Sequence, residues 1–329
     1  MTHCCPQCGS AGTVLYADQP DRLMVGVGRW DVAQCPGCGL WWIVPPPAPD
    51  AIATFYGRYH THLAGTDRTS GFQAAMTAIA VRHRLFRRPI VQRWLARSTR
   101  RRPSTLPARL VQYLTLALPV RPQSDHRTLL DIGAGNGWFL RMMGALGWDV
   151  HGCEPDAAAA RVAVDRAGVP VRPSVVTADL WPPHTFSAIT MRHVIEHLLD
   201  PLEVLDTCAN LLEPGGWLSI LCPNTGSRGA QRFGPYWRGL EVPRHVRLYD
   251  PTNLAQLVTS TKNFAILHVR TINLNAWWFG WSSERLRGTR SPLVSAVGML
   301  RRDSYQRGMV DTGEEILLLA RRTSLPVNG

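Results

Sequence analysis

The stretch Leu129-Leu130-Asp131-Ile132-Gly133-Ala134-Gly135-Asn136-Gly137-Trp138-Phe139-Leu140 decides the fold of this chain. An apolar run containing one acid comes first, three glycines follow at alternate positions, and apolar residues then resume at helical spacing. This order predicts a buried β-strand, a tight turn and an α-helix. Because glycine has no Cβ, the backbone of the turn can approach a bound ligand closely. The stretch therefore predicts a ligand-binding turn at the end of a strand.

A second acid follows at a distance that suits a nucleotide site. The strand-like segment 148–153 ends at Glu154, which comes 23 residues after Asp131. An acid at this place in a βαβ unit can hold the hydroxyls of a ribose. A dinucleotide site usually spaces its glycines G-x-G-x-x-G and binds a pyrophosphate. Asp131 would repel a pyrophosphate, but it would attract an amino group.

The pattern D-x-G-x-G-x-G followed by the later acid resembles the first motifs of the class I S-adenosylmethionine-dependent methyltransferases. The resemblance implies that the glycine turn borders the methionine part of the cofactor. It also implies that Asp131 supports the turn and the cofactor's amino group, and that Glu154 binds the ribose. The cofactor contacts expected from these motifs are Asp131, Gly133, Ala134, Gly135, Gly137, Glu154 and Pro155. The adenine is expected beside one of two pairs, Ser174 and Val175 or Asp179 and Leu180.

From about residue 125 onward, strand-like and helix-like segments alternate. The strand-like segments are 128–132, 148–153, 169–172, 186–191, 217–222, 264–273 and 315–321. Such alternation favours an α/β fold with a mostly parallel sheet. The resemblance implies a Rossmann-like methyltransferase sheet of seven strands. The segments 156–167 and 201–212 are predicted to be helical.

Two nearly identical cysteine motifs lie near the N-terminus, Cys5-Pro6-Gln7-Cys8-Gly9 and Cys35-Pro36-Gly37-Cys38-Gly39. Each C-P-x-C-G turn can direct two thiolates at one point, and four sulfurs suit tetrahedral zinc. The 26 residues between Cys8 and Cys35 include strand-like stretches. We therefore expect a small zinc ribbon, in which Cys4 is a spare residue or a substitute for Cys5. The expected zinc ligands are Cys5, Cys8, Cys35 and Cys38.

The net charge of +12 is concentrated in one segment. Residues 72–124 contain eleven Arg and no acid, whereas the rest of the chain has 25 basic and 24 acidic residues. The sequence shows no apolar run of about 18 residues and no secretory leader. We expect a cytoplasmic protein whose basic segment contacts an anionic membrane surface or a phosphate-bearing acceptor. The predicted regions are a zinc-ribbon module with a proline-rich linker (1–49), a basic helical region (50–124) and the methyltransferase domain (125–329).

The segment Arg192-His193-Val194-Ile195-Glu196-His197-Leu198-Leu199-Asp200-Pro201 follows the fourth predicted strand of this domain. It resembles the E-H-x-x-D-P segment of a subgroup that includes ubiquinone-pathway O-methyltransferases and many bacterial enzymes of natural-product and surface-glycan pathways. The resemblance implies that His193 contacts the cofactor and that Glu196 and His197 lie at the rim of the pocket. Two alternatives remain open for this segment. His193, Glu196 and His197 bind a divalent metal, or Glu196 and His197 cap and brace the following helix.

An acceptor loop is expected at 224–251, after the fifth predicted strand, where such enzymes bind their acceptors. Its W-x-G-L-E-x-P-R-H pattern recurs in the same subgroup. His245 is the candidate general base, because a neutral imidazole can take the proton of a hydroxyl near pH 7. Glu241 would orient His245 or hold the acceptor, and Glu196 is the third catalytic candidate. Alternatively, Arg244 and His245 only lock the loop onto the domain, and catalysis depends on proximity.

An insertion at 274–312 carries four aromatic residues followed by arginines. The aromatic residues are Trp277, Trp278, Phe279 and Trp281. They fit an apolar acceptor pocket, a membrane contact or a core of the insertion itself.

These features predict methyl transfer (EC 2.1.1) from S-adenosylmethionine to a small-molecule, lipid or glycan acceptor, in natural-product or surface-glycan metabolism. An RNA methyltransferase would also combine a zinc module with basic helices, but the sequence has no N/D-P-P-Y/F motif. The cysteine motifs also resemble those of nucleotide-sugar C-methyltransferases, which are longer. A non-catalytic zinc-ribbon binding module is the third alternative, and the intact cofactor motifs oppose it.

Overall fold

The computed structural model describes residues 3–23, 28–48, 127–273, 275–289 and 312–323, without the side chains of 166 and 167. These residues form one sheet of seven strands, one sheet of five strands and a set of helices. The predicted basic helical region and most of the predicted insertion lie outside the described residues.

The strands of the described ranges are β1 (His3–Cys4), β2 (Ala11–Pro20), β3 (Arg29–Gln34), β4 (Trp41–Val44), β5 (Thr128–Ile132), β6 (Asp149–Cys153), β7 (Val171–Arg172), β8 (Phe186–Arg192), β9 (Leu212–Pro223), β10 (Arg247–Leu248), β11 (Phe264–Ile272) and β12 (Glu315–Arg322). The α-helices are α1 (Trp138–Ala145), α2 (Ala157–Val162), α3 (Pro201–Leu211), α4 (Arg228–Phe233), α5 (Pro251–Ser260) and α6 (Ala276–Leu286). Within the described ranges, none of these helices is long and apolar enough to cross a bilayer.

The larger sheet has the strand order β11-β12-β9-β8-β5-β6-β7. Neighbouring strands from β9 to β7 pair in parallel, whereas β12 runs antiparallel to both β9 and β11. The predicted seven-stranded, mostly parallel α/β sheet is therefore confirmed. The central strands β5 and β8 are almost wholly buried, as expected of strands covered on both faces.

Four of the six described α-helices begin at a residue whose side chain caps the helix. The carboxylate of Asp200 accepts hydrogen bonds from the N–H groups of Leu202 and Glu203, so Asp200 caps α3. Glu196 and His197 lie earlier, in a short 3₁₀ turn (Ile195–His197), and the expectation that they cap the helix is wrong. The predicted helix 156–167 is present as α2, which continues into one π-helical turn (Ala163–Ala167).

The five-stranded sheet is antiparallel and has the order β1-β2-β3-β4-β10. Its first four strands belong to the N-terminal cysteine module, but β10 comes from the acceptor loop. Trp41 and Trp42 of β4 pair with Leu248 and Arg247 of β10. The module and the loop also share one apolar core, formed by Trp30, Val32, Trp41, Ile43, Ala230, Phe233, Trp237, Leu240, Val242, Val246, Leu248 and Phe279. The sequence pattern did not predict that the module and the acceptor loop share a sheet and an apolar core.

Candidate active site

The glycine turn after β5 forms a cradle at the carboxyl end of the sheet. The N–H groups of Gly133 and Ala134 both donate to the last carbonyl of β6, at 2.9 and 3.1 Å. Gly135 has a φ of 54°, and a Cβ added there would meet only open space. A Cβ at Gly137 would instead lie 2.8 Å from the Cβ of Ala163. Gly135 therefore leaves room for a ligand, whereas Gly137 permits close packing beside α1.

Glu154 borders the cradle on the side of β6. Its side chain is anchored at both oxygens, since Oε2 accepts from the N–H of Gly135 (2.9 Å) and Oε1 from the N–H of Asp156 (3.0 Å). Glu154 is only 8% exposed, while the following Pro155 is exposed. Each carboxylate oxygen retains a second lone pair for an incoming donor. A pair of ribose hydroxyls fits such a carboxylate.

Asp131 lies buried in β5, immediately before the turn. Its Oδ1 accepts a hydrogen bond from the hydroxyl of Thr190 at 2.6 Å. Burial raises the pKa of Asp131 to about 7, although the charge of Arg192 and the Thr190 hydrogen bond oppose that rise. Arg192 in turn stacks on Phe139, with its guanidinium carbon 4.7 Å from the ring centroid. A cationic amino group bound nearby would favour the ionised form of Asp131.

Both residue pairs predicted beside the adenine lie beyond the end of β7. Val175 is 60% exposed, and the Ser174 hydroxyl donates to the Val175 carbonyl oxygen at 2.8 Å. Asp179 is also exposed, whereas Leu180 is partly buried and packs against the hydrophobic core of the larger sheet. The choice between the two pairs stays a prediction.

His193 follows β8 directly and has a φ of 54°, which is uncommon for a residue other than glycine. Its Nδ1 lies 3.3 Å from Oε1 of Glu196, and its Nε2 lies 3.0 Å from Oε1 of Glu315. Burial alone would lower the pKa of His193, but the two carboxylates outweigh it and raise the pKa to about 9. The His193 imidazolium therefore compensates two buried acids. Glu315 is not among the site residues predicted from the sequence.

Glu196, His197 and His245 form a buried polar cluster next to His193. Their potential ligand atoms lie within 4.8 Å of one another. Glu196 is fully buried; its Oε1 lies 3.3 Å from Nδ1 of His193, and its Oε2 has no hydrogen-bond partner among the described residues. Burial would raise the pKa of Glu196, but the neighbouring imidazoles lower it. His245, rather than the predicted His193, thus joins Glu196 and His197 as the third possible metal ligand.

His197 supports the acceptor loop. Its Nδ1 lies 2.9 Å from the carbonyl oxygen of Arg244, so His197 braces this loop rather than the helix that follows it. The rings of His197 and His245 also meet edge to face, with centroids 4.7 Å apart. These contacts connect the segment after β8 to the loop after β9.

His245 has a defined tautomer. Its Nδ1 lies 2.7 Å from the carbonyl oxygen of Gly239, and a carbonyl only accepts, so Nδ1 carries the proton. The Nε2 lone pair therefore faces Oε1 of Glu196 at 4.0 Å and Oε2 of Glu241 at 3.7 Å. Burial lowers the pKa of His245 to about 4, against the opposing effect of both carboxylates. The imidazole is neutral near pH 7, and its Nε2 can accept a proton.

Glu241 lies between two arginines of the same loop. Its Oε2 pairs with Nη1 of Arg238, and its Oε1 lies 3.2 Å from Nε of Arg244. Its backbone φ of 37° is also unusual for a residue other than glycine, so the two ion pairs are formed at a strained backbone position. Glu241 also lies beside His245, since its Oε2 is 3.7 Å from Nε2, and this distance is short enough for Glu241 to orient the imidazole.

The four predicted cysteine ligands converge in the N-terminal module. The Sγ atoms of Cys5 and Cys38 lie 3.6 Å apart, and those of Cys8 and Cys35 lie 3.4 Å apart. Four sulfurs bound to tetrahedral zinc at about 2.3 Å would lie about 3.8 Å from one another. One backbone N–H in each turn also points at Sγ of Cys5 or Cys35. Cys4 is exposed and is not part of this cluster.

Three features define a class I S-adenosylmethionine-dependent methyltransferase. They are the seven-stranded sheet with one reversed strand, the glycine cradle, and the acid Glu154 beside that cradle. Comparison with known proteins then identifies the family. Residues 96–269 match the family model described as "Methyltransferase domain", and the chain belongs to this family.

Curated relatives match part of the chain. The ubiquinone biosynthesis O-methyltransferase of Paraburkholderia xenovorans is 29% identical over 190 residues, which cover 54% of this chain and 79% of that protein. The protein of the same name from Paraburkholderia phymatum is 34% identical over 141 residues, which cover 39% and 61%. The match thus spans about three to four fifths of these relatives. A solved S-adenosylmethionine-dependent methyltransferase from Archaeoglobus fulgidus is 19% identical, with a TM-score of 0.42, and covers 65% of this chain and 92% of that one.

Proposed function

We propose that this protein transfers the methyl group of S-adenosylmethionine to a small-molecule, lipid or glycan acceptor. The observation that carries the proposal is the open space at Gly135, bordered by the anchored carboxylate of Glu154. Curated relatives named as ubiquinone biosynthesis O-methyltransferases support a small acceptor whose methylated atom is oxygen. Such an acceptor is a hydroxyl compound, and its proton must leave during the reaction.

The residues of the cradle fit the cofactor. The turn from Gly133 to Gly137 would hold its methionine part, Asp131 its amino group and Glu154 its ribose. When bound, the cofactor supplies an electrophilic methyl group on a sulfonium. At this end of the site, the chain positions the cofactor. The carboxylate of Glu154 and the backbone of the turn are already held in place before the cofactor binds.

His245 is the proposed general base at the acceptor end. Its Nδ1 proton is committed to the Gly239 carbonyl, so only Nε2 can take the proton of a hydroxyl. A hydroxyl has a single proton, and a hydroxyl beside Nε2 of His245 would donate that proton to the imidazole. After proton transfer, the carboxylates of Glu196 and Glu241 would stabilise the imidazolium. Glu196 and Glu241 thus support the base electrostatically.

A divalent cation is the second candidate for the same cluster. A carboxylate with two imidazoles suits such an ion, and Oε2 of Glu196 lacks a hydrogen-bond partner within the described ranges. Nδ1 of His197 and of His245 each contact a backbone carbonyl, as is common for metal-binding histidines. Glu196, His197 and His245 would hold the ion, which would act as a Lewis acid. Nε2 of His245 could then not act as the base, so the two candidates exclude each other.

We also propose that the four clustered cysteines hold a structural zinc ion. The sulfur separations and the paired C-P-x-C-G turns support this assignment. A peripheral contact of the basic segment with anionic membrane, in the cytoplasm, stays a proposal based on charge alone.

Two experiments, on cofactor binding and then on methyl transfer, test the proposal. Calorimetry should detect S-adenosylhomocysteine binding to the purified chain, and Glu154→Ala should weaken it at least tenfold. Transfer of labelled methyl groups is then measured with phenols, nucleotide sugars, lipid extract and RNA as separate acceptors. Absence of binding by the folded chain would refute the cofactor assignment, and labelling of RNA alone would refute the acceptor class.

A further inference from the structure

The N-terminal cysteine module contributes one acidic side chain to the interior of the acceptor loop. Asp21 follows β2 directly, and its carboxylate forms two hydrogen bonds with the guanidinium of Arg244. Nη1 of Arg244 donates to Oδ2 at 2.8 Å, and Nη2 donates to Oδ1 at 2.7 Å. The exposed fractions of the two side chains are 2% and 0%. This is a buried, doubly hydrogen-bonded ion pair between residues that are remote in the sequence.

Arg244 needs this partner because its charge lies out of water. The third donor of the guanidinium, Nε, bonds to Glu241, which is also paired with Arg238. Without Asp21, the terminal nitrogens of Arg244 would lose both hydrogen bonds, and removal of one member of a buried pair is strongly destabilising. Asp21 therefore stabilises Arg244 in its buried position.

The position of Arg244 in turn defines the turn that carries His245. The backbone N–H groups of Arg244 and His245 both donate to the carbonyl of Glu241, at 2.9 and 3.2 Å. The carbonyl of Arg244 accepts from Nδ1 of His197. A displaced Arg244 would thus disturb both the backbone next to His245 and the imidazole that packs against it.

Neighbouring contacts place the module against the same loop. The N–H of Ile43 donates to the carbonyl of Val246 at 3.2 Å, next to the pairing of β4 with β10. Arg22 lies over the ring of Tyr236, 4.7 Å from its centroid. Asp21 is thus one charged contact within a continuous apolar and backbone interface.

We infer that Asp21 is a positioning residue for the active site, through which the cysteine module holds the acceptor loop and His245 in place. The inference deepens the proposed function and rests on it for the role of His245. The module is accordingly part of the catalytic scaffold.

The test compares Asp21→Asn, Asp21→Glu and the control Asp18→Asn by hydrogen exchange. Asp18 lies on the same module, and its carboxylate forms an exposed pair with Arg29. Asp21→Asn should speed amide exchange in residues 239–248 at least tenfold and leave residues 129–154 unchanged. Asp21→Glu keeps the carboxylate and should restore most of the protection. Asp18→Asn should behave like the wild type.

Three outcomes would overturn the inference. Exchange in 239–248 within twofold of the wild type in Asp21→Asn would show that the pair does not position the loop. Loss of protection throughout β5 to β9 would show a general folding role instead. Equal effects of Asp21→Asn and Asp21→Glu would show that the carboxylate is not what matters. S-adenosylhomocysteine binding, measured on the same samples, tests the proposed function separately, because Asp21 lies on the cysteine module, apart from the cradle.

Discussion

Substitution of Gly135 by valine should remove cofactor binding and leave the fold intact. Gly135 has a φ of 54°, and nothing lies within 4 Å of a Cβ added there. The Cβ of a side chain at that position therefore meets no protein atom beyond its chain neighbours, and the side chain would enter the space proposed for the cofactor. The cost to folding is the backbone strain of a left-handed conformation, about 1–2 kcal/mol.

Gly168 provides a matched control for that strain. It has a φ of 65°, and a Cβ added there also meets nothing within 4 Å, but it lies after the π-helical turn and not in the cradle. Gly135→Val and Gly168→Val should therefore lose similar free energies of unfolding. Only Gly135→Val should lose S-adenosylhomocysteine affinity, by at least about a hundredfold, which corresponds to about 2.8 kcal/mol.

The assay pairs urea denaturation with calorimetric titration of each variant. Gly137→Ala serves as the third variant, because its Cβ would lie 2.8 Å from Ala163 and should destabilise the fold itself. Affinities of Gly135→Val and Gly168→Val within threefold of each other would refute the assignment of the cradle as the cofactor site.

Three further predictions concern the bound metal, His245 as the general base and the buried acid Asp131. Elemental analysis should find one zinc per chain, lost in Cys38→Ser, and a second bound metal would favour the cation at Glu196 over the base. His245→Ala should lower kcat by about two to four orders of magnitude at unchanged cofactor affinity; a loss under tenfold would leave His245 as a brace. With the pKa of His245 at about 4, the wild-type rate should not fall with pH until below about pH 5. Because burial raises the pKa of Asp131 to about 7, folding takes up a proton between about pH 4 and 7, and stability from this group falls as pH rises through that window. Asp131→Asn should therefore be more stable than the wild type at pH 8 by up to about 4 kcal/mol but by only about 1 kcal/mol at pH 4.5, and a difference in urea denaturation that is equal at both pH values would contradict this.

The larger sheet could be predicted from the sequence because its central strands are short apolar runs that alternate with helical segments. The predicted segments 128–132 and 186–191 correspond to β5 and β8 within one residue at each end. The cysteine cluster could also be predicted, since two identical turns supply all four sulfurs. Local pattern and local chemistry were sufficient in both cases.

The contacts that complete the candidate site could not be predicted, because each joins residues far apart in the chain. β10 is two residues long and has no alternating pattern, so its pairing with β4 leaves no trace in the sequence. Asp21 and Glu315 are ordinary acids in their own segments, and only the fold brings them to Arg244 and His193. The pairing of Asp131 with Thr190 likewise depends on the register of β5 and β8.

The position of β12 has a consequence for how the chain is made. β12 follows every other described strand in the sequence, yet it lies between β9 and β11 within the sheet. During synthesis, the edge of β9 therefore stays unpaired until residues 315–322 have left the ribosome, and an unpaired apolar edge invites association with other chains. The same segment brings Glu315 to His193 and Glu314 to the indole of Trp237. A chain that ends before this strand would thus lack both the strand that joins β9 to β11 and the acids that contact His193 and Trp237, so the larger sheet is completed only when translation has passed β12.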